Sequence, residues 1–274
     1  MKKRRRAKSV LILISLIPCL LLLSPDARAI ADPGSMPVEG AGSSGGDILD
    51  ILSGDANAEE ASGTVEIVLL LTVLTLAPSI LIMVTGFTRI IIVLSFTRNA
   101  MGTQQMPPNQ VMVGLALFLS FFVMYPVYSQ VVSDVWEPYQ AGEIETLGEA
   151  FELAKKPIRD FMIEQIDLQG NQEDLKTFMS LAKIEFMPET LDEIPTHVII
   201  PAFVTSEIKT AFQIGFMIYI PFIVVDMIVA SALMSMGMMM LPPVMISLPF
   251  KIMLFVLVDG WNLTITSLVR TFQR

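Results

Sequence analysis

Six charged residues lie inside otherwise apolar stretches of this 274-residue chain: Arg89, Glu207, Lys209, Asp226, Lys251 and Asp259. At the centre of a bilayer each would cost on the order of 3 kcal/mol by insertion scales, so each needs a counter-charge, a hydrogen-bond partner or water. Asp226 and Lys251 flank a Met-rich turn symmetrically. A hairpin folded there would bring them face to face roughly 19 Å from its tip, at 1.5 Å per residue. Partners on a neighbouring chain, or water, are the alternative. A proton relay through Asp226 and Asp259 is a third chemistry open to acids at membrane depth. Other chemistry finds little to work with. The single His (His197, beside Thr196 at the edge of an acidic loop) and the single Cys (Cys19) leave no material for a hydrolytic triad, a zinc site or a disulfide framework. We expect no catalytic centre, metal or cofactor, and the absence of a nucleotide-binding loop means that partner proteins or the proton-motive force must energise any transport.

The second chemical feature is the run Met238, Met239 and Met240. Unbranched, polarizable side chains fill irregular gaps, so a ring of them can close a hole and still yield to a passing chain. A constriction of that kind also stops small ions by dewetting. Read from composition alone, the run could equally be ordinary core. It sits in the turn Met236-Gly237-Met238-Met239-Met240-Leu241-Pro242-Pro243, which repeats an earlier one, Met101-Gly102-Thr103-Gln104-Gln105-Met106-Pro107-Pro108. In each, Gly102 or Gly237 ends one helix, and Pro107-Pro108 or Pro242-Pro243 opens the next. The polar Thr-Gln-Gln of the first turn is replaced by three methionines in the second.

The elements that must position these residues are helical and membrane-associated. Hydrophobic residues make up 53% and charged residues 16%, against roughly 25% charged in soluble chains, and mean hydropathy is +0.63. The net charge of −9 excludes a phosphate-binding surface rich in Lys and Arg, and so a nucleic-acid partner. Residues 1–29 read as a cleaved signal peptide: a basic head, the short apolar run Val10 to Leu23, then Ala27-Arg28-Ala29. Cleavage would remove seven basic residues and Asp26, taking the charge from −9 to −15. Residues 30–63 form an acidic, Gly/Ser-rich tail of disordered type. Residues 64–132 make a first helical hairpin, with Pro78, Gly86 and Arg89 interrupting its apolar run.

Residues 133–195 form a small acidic helical domain on the outer side of the membrane, where acids outnumber bases about three to one and Phe151, Ile158, Phe161 and Met162 recur at helical spacing. Residues 196–274 make a second hairpin bearing the Met-rich turn. Hydropathy and the positive-inside bias give four crossings, with both tips inward and the C-terminus outside. Embedded charges, with Pro78, Pro201, Pro221 and Pro249, fit independent lipid-facing spans poorly. They fit an all-α assembly in which broken helices pack against protein or line a wet cavity.

Longer motifs sharpen this reading. Phe87-Thr88-Arg89-Ile90-Ile91-Ile92-Val93, Arg98-Asn99-Ala100-Met101-Gly102 and Pro107-Pro108-Asn109-Gln110-Val111 come first. Then follow Phe203-Val204-Thr205-Ser206-Glu207-Ile208-Lys209-Thr210-Ala211-Phe212-Gln213-Ile214-Gly215-Phe216, the Met turn, and Pro249-Phe250-Lys251 through Asp259-Gly260-Trp261. In this order, and over nearly everything after residue 64, the chain resembles the FliP family of flagellar biosynthetic proteins and its injectisome counterparts. The resemblance implies a core subunit of a type III export gate, five copies assembling with FliQ and FliR into a helical cone raised partly above the membrane plane. Unfolded flagellar proteins would pass through its channel, closed by Met238, Met239 and Met240 as a gasket. The resemblance also places such a gate in the bacterial inner membrane at the flagellar basal body. Two other classes stay open on the residues alone: a small-solute or proton-coupled secondary transporter, and a membrane enzyme, which the lone His197 does not support.

Overall fold

Among the described residues every regular element is helical. The computed structural model describes residues 71–273, apart from 73–74, 77, 104–105, 145, 185–192 and 239–240. The expected signal peptide and tail therefore lie outside the described residues, as do Met239, Met240, Gln104 and Gln105.

The first apolar run is not one continuous span. Helix stops at Met83, a break occupies Val84–Gly86, and α1 (Phe87–Met101) begins anew. At the break, a Cβ on Gly86 would come within 2.6 Å of the Phe272 ring, so only glycine lets the two segments approach. Helix α1 ends at Gly102, whose φ of 75° closes the last turn by an N–H bond to the Asn99 carbonyl. Helix α2 (Asn109–Val131) starts directly after Pro108. It continues through a π-helical turn (Val132–Trp136) into α3 (Glu137–Ala141), so the helix crosses residue 132 without interruption.

Two amphipathic helices follow, α4 (Leu147–Leu168) and α5 (Gln172–Leu181). The Thr146 hydroxyl caps α4 by accepting the Glu149 N–H at 3.2 Å. Phe161, Met162 and Ile166 of α4 are buried in the same core as Ile90, Val198 and Phe203, so the acidic segment shares the main hydrophobic core. Phe151 is the exception to its expected stripe: it is exposed, with the Lys155 ammonium 4.8 Å over its ring.

Helix α6 (Thr196–Ser235) spans 40 residues, about 60 Å at 1.5 Å per residue. That is twice the hydrocarbon thickness of a bilayer, roughly 30 Å. Its two halves differ. Val198, Ile199, Ala202, Phe203, Ser206, Glu207, Thr210 and Ala211 recur at helical spacing and are buried against α1, α4 and α5, whereas Phe216, Met217, Met227 and Ile228 are exposed. Two more helices complete the chain, α7 (Pro243–Leu257) and α8 (Gly260–Arg270), bent by 63° at Val258–Asp259. Of the four expected crossings, the described residues hold two helical stretches long and apolar enough to span, Asn109–Ala141 and Thr196–Ser235, or three if the bent pair counts as one. Part of the first apolar run lies outside the described residues; within them Arg89 and its neighbours Ile90 and Val93 are buried in protein rather than facing outward.

Candidate functional site

A fully buried ion pair lies within the main core of the described residues. Arg89 of α1 and Glu207 of α6 are both fully buried. Arg89 Nε donates to Glu207 Oε2 at 3.0 Å, and Nη2 donates to Glu207 Oε1, a bidentate arrangement that suits the planar guanidinium. Nη2 also donates to Gln165 Oε1 of α4 at 3.3 Å. Nη1 donates to the Thr271 carbonyl at 3.2 Å and to its hydroxyl at 3.0 Å. A guanidinium carries five N–H donors, and these five bonds match them. The Phe272 ring lies 4.0 Å from Arg89 Cζ and covers the remaining face. Gln165 Nε2 and Gln169 Nε2 hold the carbonyls of Phe272 and Thr271, at 3.3 and 2.8 Å. One arginine thus ties α1, α4, α6 and the segment after α8 together.

A second polar pair lies in the α6–α7 hairpin. Lys251 Nζ sits 2.6 Å from Asp226 Oδ2, and the Ser247 hydroxyl donates to Asp226 Oδ1. Lys251 is buried while the Asp226 side chain keeps 31% exposure. Phe222 and Phe255 meet nearby with ring centroids 6.2 Å apart and planes tilted by 40°, fixing the antiparallel register. Beyond the pair, α6 ends at Ser235, Gly237 takes φ 74°, and α7 opens with Pro243. The hairpin tip leaves Met234, Met236, Met238 and Leu241 exposed. At the other turn Thr103 Oγ1 donates to the Met106 carbonyl at 2.6 Å, and Gly102 comes within reach of Leu248 and Lys251 of α7.

The other singled-out charges stand apart from these clusters. Lys209 Nζ lies 3.6 Å from Asp174 Oδ2 of α5, at the edge of the acidic segment. Asp259 is exposed at the α7–α8 corner, where it adopts φ 50°. On the solvated face of α5, Lys176 donates to Glu173 at 2.8 Å and draws that carboxyl below its ordinary pKa, an exposed pair of little consequence for stability. Among the described residues no group of three or more His, Cys, Asp and Glu is arranged to hold a metal ion.

Sequence reasoning picked out Arg89 and Glu207 separately and did not join them. It missed Gln165, Thr271, Phe272 and Ser247 altogether. Gln165 carried a usable signal, since it falls on the buried stripe of α4 with Phe161, Met162 and Ile166. Thr271 and Phe272 carried none, because their role depends on α8 folding back across Gly86.

An all-helical membrane protein with proline-interrupted helices, a buried bidentate ion pair and a Met-lined hairpin tip is thereby defined. The family model described as the FliP family matches residues 70–268. The chain is 54% identical over 226 residues to the flagellar biosynthetic protein FliP of Bacillus subtilis (strain 168), covering 82% of this chain and 99% of that one. It is 48% identical over 224 residues to the protein of the same name from Treponema pallidum (strain Nichols), covering 82% and 81%. It is 52% identical over 210 residues to that of Caulobacter vibrioides, covering 77% of each. The chain belongs to the FliP family.

Proposed function

We propose that this chain is a pore-forming core subunit of the flagellar type III protein export gate, which conducts unfolded flagellar proteins across the bacterial inner membrane at the basal body. Membership of the FliP family over residues 70–268 carries the reading. Five copies assemble with FliQ and FliR, and a cleaved signal delivers residues 133–195 to the periplasmic side. The length of α6 supports a body raised partly out of the bilayer: about 60 Å of helix cannot be contained in roughly 30 Å of hydrocarbon, and its first half is packed against the polar-faced α4 and α5. The exposed apolar surfaces of α2, α6 and α7 are what lipid and neighbouring subunits would cover.

Met238, Met239 and Met240 form the gasket in this reading. The exposure of Met234, Met236 and Met238 at the hairpin tip supports it, because a tip that served only as core would bury them. Conductance across a membrane carrying the assembled complex tests the proposal. Replacing all three gasket methionines by Ala removes bulk without touching a charge or hydrogen bond, so the complex still assembles and small ions leak. The same change at Thr103, Gln104 and Gln105 leaves the seal tight. A Met-to-Ala complex that assembles and stays as tight as the parent would overturn the gasket assignment.

A further inference from the structure

The corner between α7 and α8 is built rigidly and points a lone carboxylate outward. Beneath it, a Cβ on Gly260 would come within 2.3 Å of the Phe255 ring, and Phe255 meets Trp261 edge to face at 5.4 Å. Above it, Val256, Leu257, Val258 and Leu263 are exposed, Leu257 to 75%. Asp259 stands among them. Asn262 Nδ2 donates to its Oδ2 at 3.1 Å, and Thr266 Oγ1 donates on to Asn262 at 3.0 Å, so the carboxylate has neutral support but no cation among the described residues.

Arg98 is the complementary case. Near the end of α1 it donates through Nη1 to Asn109 Oδ1 and the Pro107 carbonyl, and it has no carboxylate partner among the described residues. Its surroundings are also exposed and apolar, with Met106 at 74% and Val111 close by in sequence.

The two charges stand at the same height. Helix α7 runs antiparallel to α6 with Lys251 opposite Asp226 and Phe255 opposite Phe222, a register that sets Asp259 level with Ile218. Helix α1 runs parallel to α6 with Arg89 at Glu207 and Phe96 against Phe212 and Gly215, which sets Arg98 level with about Phe216. The difference is two residues, about 3 Å along the axis. A neighbour related by rotation about an axis parallel to α6 would therefore meet one charge with the other without sliding.

We infer that the Asp259 corner of one copy docks on the Arg98 turn of the next, a head-to-tail contact with an ion pair sealed by the apolar rims on each side. Covering either rim without a counter-charge would strand a desolvated ion, so charge complementarity specifies the occupant as a second copy of this chain. A head-to-tail contact closes into a ring when its rotation allows. The inference rests on the multi-copy reading given above.

Differently tagged copies of the full-length chain, co-expressed and extracted in detergent, test it by co-purification and by the mass of the complex. Parent chains co-purify. Arg98→Glu with itself, and Asp259→Arg with itself, lose at least tenfold of that signal, since every contact then sets like charges together. Arg98→Glu co-expressed with Asp259→Arg regains most of it, because each contact in a mixed pair is again opposite in sign. That rescue also shows that both variants are folded. An oligomeric parent with unmoved single variants overturns this contact alone, and so does failure of the mixed pair. A monomeric parent overturns the multi-copy reading along with it.

Discussion

Removing Glu207 from beside Arg89 is the sharpest perturbation that the structure offers. Both side chains are fully buried, and the carboxylate accepts from Nε and Nη2 of the guanidinium. In Glu207→Leu the arginine keeps its charge, stays buried, and retains only Gln165 and Thr271 as acceptors. Breaking one side of a buried pair costs about 3–5 kcal/mol, mostly the uncompensated charge. For a folded unit of this size each kcal/mol shifts Tm by roughly 2–4 °C, so a drop of about 6–20 °C is expected. Arg89→Met should fall in the same range, since it strands the carboxylate. The double variant Arg89→Met/Glu207→Leu removes both charges and keeps the volume. It should lie closer to the parent than either single variant does, because apolar replacement of a whole buried pair is often neutral. A residual loss is expected from Gln165 and Thr271, which give up their arginine donors. Thermal unfolding of the purified protein in detergent, run on all four, reads out the cycle. Single variants within about 2 °C of the parent, or a double variant whose loss equals the sum of the singles, would refute the reasoning.

Two further predictions follow from the same packing. Reversing Asp226 or Lys251 alone should hinder assembly, because it places like charges together beside buried Ser247, while the double swap should partly restore it; the yield of assembled complex measures this, and equal defects in all three variants would move the partners elsewhere. Gly215→Ala should cost about 1–3 kcal/mol, since its Cβ would come within 2.6 Å of Phe96 where α1 packs on α6; a Tm equal to the parent's would mean that the Phe96 ring swings aside freely.

The sequence by itself determined the fold class, the two glycine-proline turns and the need of every embedded charge for a partner, because these follow from local rules. Gly102 and Gly237 adopt φ near 75° as helix ends, and a helix opens directly after Pro108 and at Pro243. The Asp226–Lys251 pairing was legible for the same reason: two residues equidistant from a turn must meet if the hairpin is straight.

Arg89 and Glu207 were legible only as problems. They are separated by 118 positions, and nothing local in a chain reports which distant helix will cover a given face. Only the tertiary structure decided that α6 lies along α1, that α4 presents Gln165 from the acidic segment, and that Thr271 and Phe272 return past Gly86 to finish the guanidinium's bonds. Hydropathy measures what a residue prefers, whereas burial of Arg89 depends on three other segments supplying five acceptor contacts in one small volume, and that is a property of packing alone.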